Sequence, residues 1–151
     1  MQFQLRAAER SAILSALRRL KAGLSPREAP PPPRIALHSR LDEAAAAACT
    51  TYDQLTEAAR DTIYYSALRQ LRPPRTDELP DFTRADAVLR TAYYAHLLRI
   101  VRSQYQGRTQ KVLLRAIGEQ IDLLNILHIL RLKTYFPQTP REEYAGGLFP
   151  F

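Results

Sequence analysis

The chain has 151 residues, one Cys, three His and a formal net charge of +7 with a pI near 9.9. One cysteine excludes an internal disulfide and a cysteine-based zinc site, and it fits a reducing compartment. Hydrophobic residues at 46% exclude wholesale disorder, and the length suits one ordinary domain.

The basic balance favours an acidic partner: nucleic acid, anionic headgroups or an acidic protein surface. The charge is spread, with no run of five basic residues, which argues against nucleic acid. No secretory leader is read in MQFQLRAAERSA, which is charged every few residues. No run reaches the ~18 uncharged apolar residues of a membrane span.

From the N-terminus, Phe3, Ile13, Leu14, Leu17, Leu20 and Leu24 keep a helical period, predicting a helix over Gln2 to Ala22 with Gly23 as its stop. Four prolines, Pro30 to Pro33, exclude helix and favour polyproline II, so residues 25–38 read as an exposed connector. Ser39 and Asp42 form a loose capping box before the Ala44–Ala48 block. Thr51 and Gln54 form a better one. Asp61 or Thr62 is expected to cap a short helix running to Leu71, and Pro73 and Pro80 mark the next loop.

Thr83 and Asp86 mark the start of a long helix, 84–105, that Gly107 ends. Thr109 is expected to cap a second long helix, 110–136, stopped by Pro137. The short link between them predicts an antiparallel hairpin. Thr139, Pro140 and Glu142 predict one further short helix before Gly146. No strand pattern competes, so the fold class is all-α, a helical bundle. The domains read as an N-terminal helix (1–24), the connector (25–38) and a helical bundle (39–151).

The stretch IGEQIDLLNILHILRLKTYF is the most apolar in the chain, yet it holds Asp122, Asn125, His128 and Arg131. On a helical wheel Leu113, Ile117, Leu124 and Leu127 share a face with Arg131 at its middle. Asp122 and Lys133 fall opposite, where either a wet stripe or a buried, partnered Asp122 is open. An arginine on an apolar face needs a partner or must snorkel at the helix end. Antiparallel pairing brings Asp86 within about half a turn of Arg131, so an Asp86–Arg131 pair is expected to fix the hairpin register.

Tyr64–Tyr65 and Tyr93–Tyr94 are doublets inside amphipathic helices, read as one core and one surface tyrosine each. His38, His96 and His128 lack metal spacing, and no catalytic motif appears. No cofactor, metal or small-molecule substrate is expected. Two rival readings remain. A basic binding module for nucleic acid or an acidic protein would cluster Arg18, Arg19, Lys21, Arg34 and Arg40 on one face. A small helical enzyme would place His96 or His128 beside a carboxylate in a pocket.

IDLLNILHILRLKTYFP resembles the "ID-x-x-N … R-x-K-x-Y" segment of the C-subunit family of V-type ATPases, whose eukaryotic members are the d-subunits. The resemblance rests on Ile121, Asp122, Asn125, Arg131, Lys133 and Tyr135. DAVLRTAYY is similar to that family's acidic-x-x-Leu…Tyr-Tyr helix, with Asp86 in place of glutamate and Tyr93 in the doublet. TEAARDTIYYSAL is similar to its "L-x-x-T-x-Y" segment through Thr62 and Tyr64, with Ala59 in place of the usual leucine.

This resemblance implies a helical, non-catalytic central-stalk adaptor that joins the rotor shaft to the membrane ring of a V/A-type rotary ATPase. It implies stalk and ring subunits as partners, proton or sodium transport coupled to ATP synthesis or hydrolysis, and a cytoplasmic place at the membrane face. Full-length members are much longer, so the chain corresponds to about one of the family's three bundles, as a fragment or a shortened relative.

Overall fold

The computed structural model describes residues 2–25, 39–73, 75, 78–138, 140 and 148–149. The Pro-rich connector and the short helix expected after Thr139 fall outside the described residues. Within them the chain is all-α, with six helices and no strand. These are α1 (Gln2–Lys21), α2 (Glu43–Ala48), α3 (Tyr52–Ala58), α4 (Tyr65–Gln70), α5 (Phe82–Gln104) and α6 (Gly107–Tyr135). The two long helices expected from the sequence are α5 and α6.

Capping chemistry sets most of the boundaries. Asp42 caps α2 by accepting from the Ala45 N–H at 2.9 Å, and Thr51 caps α3 by accepting from the Gln54 N–H at 3.3 Å. Gln54 reaches back to the Thr50 N–H at 2.8 Å, one residue earlier than a standard box.

Three of the expected caps do not form. Asp81, not Thr83, opens α5 by accepting from the Arg84 N–H at 2.8 Å. Thr62 does not cap α4, whose first residue follows Tyr64. Its hydroxyl donates to the Ala59 carbonyl at 2.7 Å and accepts from the Tyr64 N–H at 3.1 Å, tightening the preceding turn. Thr109 lies inside α6, which begins at Gly107 behind an N-cap Gln106 that makes no side-chain cap bond.

The chain divides into two compact units, Met1–Tyr93 and Tyr94–Phe151. In the first, α1 packs against α2 and α3, and α3 against α4. Its core joins Ile13, Leu14 and Leu17 of α1 to Leu55, Tyr64, Leu68, Ala85 and Leu89. The alanines of α2 and α3 let the helices approach closely: Ala46, Ala58 and Ala59 are all buried.

In the second unit, Gln110 binds the end of α5 to the start of α6. Its amide nitrogen donates to the Tyr105 carbonyl at 2.7 Å and the Arg102 carbonyl at 3.2 Å, which α5 leaves without helical partners. Gly107 takes a positive φ of 60° at this turn, a conformation that costs glycine little. Tyr94, Leu97, Leu98, Val101, Gly118 and Ile121 are buried.

Candidate functional site

The side chains of interest are those that hold helices together and those that face solvent. The buried polar groups give the first set, and the strongest of them sit on α1.

Glu9 is fully buried. Its carboxylate accepts from Arg6 Nη1 at 2.8 and 2.9 Å, from the Arg40 N–H at 3.1 Å and from Ser39 Oγ at 3.4 Å. A buried carboxylate is tolerable only with such a full set of donors. Glu9 thereby fixes the chain at residues 39–40 onto α1.

Arg19 is 8% exposed and points at the C-terminal end of α2. Its guanidinium donates to the carbonyls of Ala46, Ala47 and Cys49, the last at 2.7 Å, and it lies 3.1 Å from Cys49 Sγ. These are carbonyls a helix end leaves orphaned, and the positive charge also suits the negative end of the helix dipole. Burial pushes the Cys49 thiol up, with the Arg19 charge opposing.

Two tyrosine hydroxyls complete the set. Tyr64 Oη donates to the Arg6 carbonyl at 2.6 Å, and Tyr52 Oη donates to the Leu68 carbonyl at 2.7 Å. Burial raises both phenols, Tyr52 to about 12 and Tyr64 further.

The residues singled out from the sequence distribute unevenly. Thr62 and Tyr64 are buried. Tyr93 is half-buried with the Arg10 guanidinium 5.8 Å from its ring centroid, and Ile121 is buried. Asn125 is half-buried on α6 and grips a backbone: its amide nitrogen donates to the Phe149 carbonyl at 3.1 Å while its oxygen accepts from the Phe149 N–H at 3.0 Å. Phe149 also packs on Tyr94 of α5, with ring centroids 5.6 Å apart.

Asp86 does not act as a register lock. It pairs with Arg90, one turn along α5, and both are about a quarter exposed. Arg131 is exposed, as are Asp122, Lys133 and Tyr135. The wheel placed the buried face of α6 around Leu124 and Arg131. The observed face runs through Gly118, Ile121, Asn125 and Leu132, about a quarter turn away, which leaves Arg131 at its edge.

The doublets follow the expected division: Tyr64 and Tyr94 are buried, while Tyr65 and Tyr93 are partly exposed. Among the described residues, the cations of the basic-module reading do not all share a solvent face, because Arg19 is buried, while Arg18 is exposed and lies 4.6 Å over the Phe82 ring. Arg34 is outside the described residues. His96 shares a 2.9 Å hydrogen bond with Arg99. Among the described residues, no group of three or more His, Cys, Asp or Glu could hold a metal ion. Nor, among them, is any helix long and apolar enough to cross a membrane.

The sequence reading passes over Glu9 and takes Arg19 for a surface cation, although the signal for burial of both is present. On the α1 wheel both fall on the face of Ala12, Ile13 and Ala16. Alanine is a weak marker of burial, so two charges among alanines read as surface.

The family model for the ATP synthase (C/AC39) subunit matches residues 5–150. No curated protein and no solved structure matches the chain. The match runs through both compact units and through all three sequence blocks that carry the resemblance, and the all-α architecture agrees with it. The chain therefore belongs to the ATP synthase (C/AC39) subunit family of V/A-type rotary ATPases.

Proposed function

We propose that the chain is a non-catalytic central-stalk adaptor of a V/A-type rotary ATPase, coupling the rotor shaft to the membrane ring. Ion transport, of protons or sodium, would be driven by or would drive ATP turnover through it. The observation that carries this reading is the family match over residues 5–150. The polar ties of the first unit support it. Glu9, Arg19, Tyr52 and Tyr64 each fasten one helix to the backbone of another segment, and a torque-bearing part needs helices that do not slide.

The partners are then stalk and ring subunits, and the place is peripheral, at the cytoplasmic membrane face. The test is affinity purification of the tagged chain from its own host, with mass spectrometry of what accompanies it. Stalk and ring subunits are the expected companions. Recovery of nucleic acid alone, or of no partner, would refute the adaptor role while leaving family membership intact.

A further inference from the structure

α6 carries two apolar faces. One is the inner face already described, with Gly118 and Ile121 buried and Leu124, Asn125, His128 and Leu132 partly so. The other lies on the opposite side of the helix and is open. Leu123 is 57% exposed, Ile126 53%, Leu127 40% and Leu130 53%. Their spacing, i, i+3, i+4 and i+7, makes one continuous stripe. A helix apolar on both sides is normally buried on both, and contiguous exposed apolar surface of this kind marks an interaction site.

The seam between the faces says what fits there. Asp122 and Lys133 are both exposed on the same edge of the stripe, about three helical turns apart. About 16 Å separates them along the axis, so they cannot pair with each other. Nearer the N-terminus on that edge, Arg115 and Glu119 already pair at 2.8 Å. If a second α6 lies antiparallel on the stripe, with the two-fold axis between Leu127 and His128, Asp122 stands opposite Lys133 of the second copy. By symmetry Lys133 stands opposite Asp122 of that copy. The same register interleaves Leu123, Ile126, Leu127 and Leu130 of one helix with those of the other. One shift thus satisfies the apolar stripe and both charges, as an isologous contact requires.

We infer that the outer face of α6 docks a second copy of this chain as an antiparallel helix pair, with two reciprocal Asp122–Lys133 contacts flanking the leucine-rich stripe. This goes beyond the adaptor role. One helix stripe is smaller than a standard interface, so the dimer is weak and concentration-dependent.

The experiment is sedimentation equilibrium of the full chain from low micromolar to about 500 µM, a range chosen for a small interface. Far-UV circular dichroism confirms that each variant folds. The expected result is a reversible monomer–dimer equilibrium abolished by Ile126→Asp with Leu130→Asp. Asp122→Lys and Lys133→Asp should each weaken the dimer by roughly tenfold or more, because each puts like charges together at both contacts. Mixing those two single variants should restore association, since each then meets its opposite charge at both contacts. All four positions are exposed, so folding should survive the changes. A chain monomeric throughout the range would overturn the inference. So would a dimer indifferent to these variants, or a mixture no tighter than its components. A monomer that binds a rotary-ATPase subunit, and loses it in the Ile126→Asp variant, would overturn it too and assign the face to that subunit instead.

Discussion

Replacing Glu9 by Ala removes the acceptor for four hydrogen bonds in a fully buried position. The loss is dominated by what remains. Arg6 is only 13% exposed, so its guanidinium is left charged with little water to replace the carboxylate. Breaking one side of such a buried pair costs on the order of 3–5 kcal/mol. The Arg40 N–H also loses its acceptor, a further penalty of about 1–3 kcal/mol if water does not reach it. Against a total stability of about 5–15 kcal/mol, this brings the first unit close to unfolding.

The paired change Arg6→Met with Glu9→Leu removes both charges together and should cost far less, because burying two ions was itself expensive. Urea denaturation followed by far-UV circular dichroism would measure both variants. A Glu9→Ala cost below about 1 kcal/mol would show that Glu9 is not the constraint described. A double variant as unstable as the single one would show that packing, not the stranded charge, sets the loss.

Further outcomes follow from the other polar ties. Tyr52 and Tyr64 hold their protons more tightly folded than unfolded, so the unfolded chain ionises first above pH 10. Their contribution is whole below that value and is lost as pH rises through the folded value, about 12 for Tyr52. Tyr52→Phe should therefore flatten the alkaline limb of a stability–pH curve, read from urea midpoints at stepped pH. Cys49 is buried with a raised thiol, so a thiol-specific reagent should label it slowly in the native chain and quickly in denaturant. Equal rates would contradict the burial. Asp86→Ala should cost below about 1 kcal/mol, because its partner Arg90 is one helical turn away and partly solvated. A loss near 4 kcal/mol in urea unfolding would revive a buried register lock at Asp86.

Helices were legible where apolar period and breakers agreed. The periodic residues Ile13 to Leu20 and the stop at Gly23 located α1 to within a residue of its observed end at Lys21. Starts were less legible because several side chains can serve as caps. Thr83 and Asp86 looked able to open α5, yet the backbone geometry picks Asp81 instead. α6 begins without a side-chain cap, so the nearest capping residue type, Thr109, places the expected start at 110, three residues late.

The family blocks were legible as spacing, yet the tasks of their residues were not. Tyr64 reaches the Arg6 carbonyl across 58 positions of sequence, a distance no local pattern encodes. Arg131 shows the opposite failure. A quarter-turn error in the wheel made an edge residue look buried, since α6 is apolar on both sides and its period cannot say which face turns inward.

Asn125 makes its two bonds to Phe149 through a flat amide, one through its nitrogen as donor and one through its oxygen as acceptor, the same pair a neighbouring β-strand would offer. It recognises a peptide group, which every residue but proline presents in full. Position 149 is therefore free to change its side chain as far as contact with Tyr94 allows. Position 125 is not: aspartate would bring two acceptors to a carbonyl, leucine would bring none, and glutamine would overshoot by a methylene. A polar residue in the greasiest helix of the chain thus works as a socket for the backbone of Phe149, and the constraint falls on the socket rather than on what it holds.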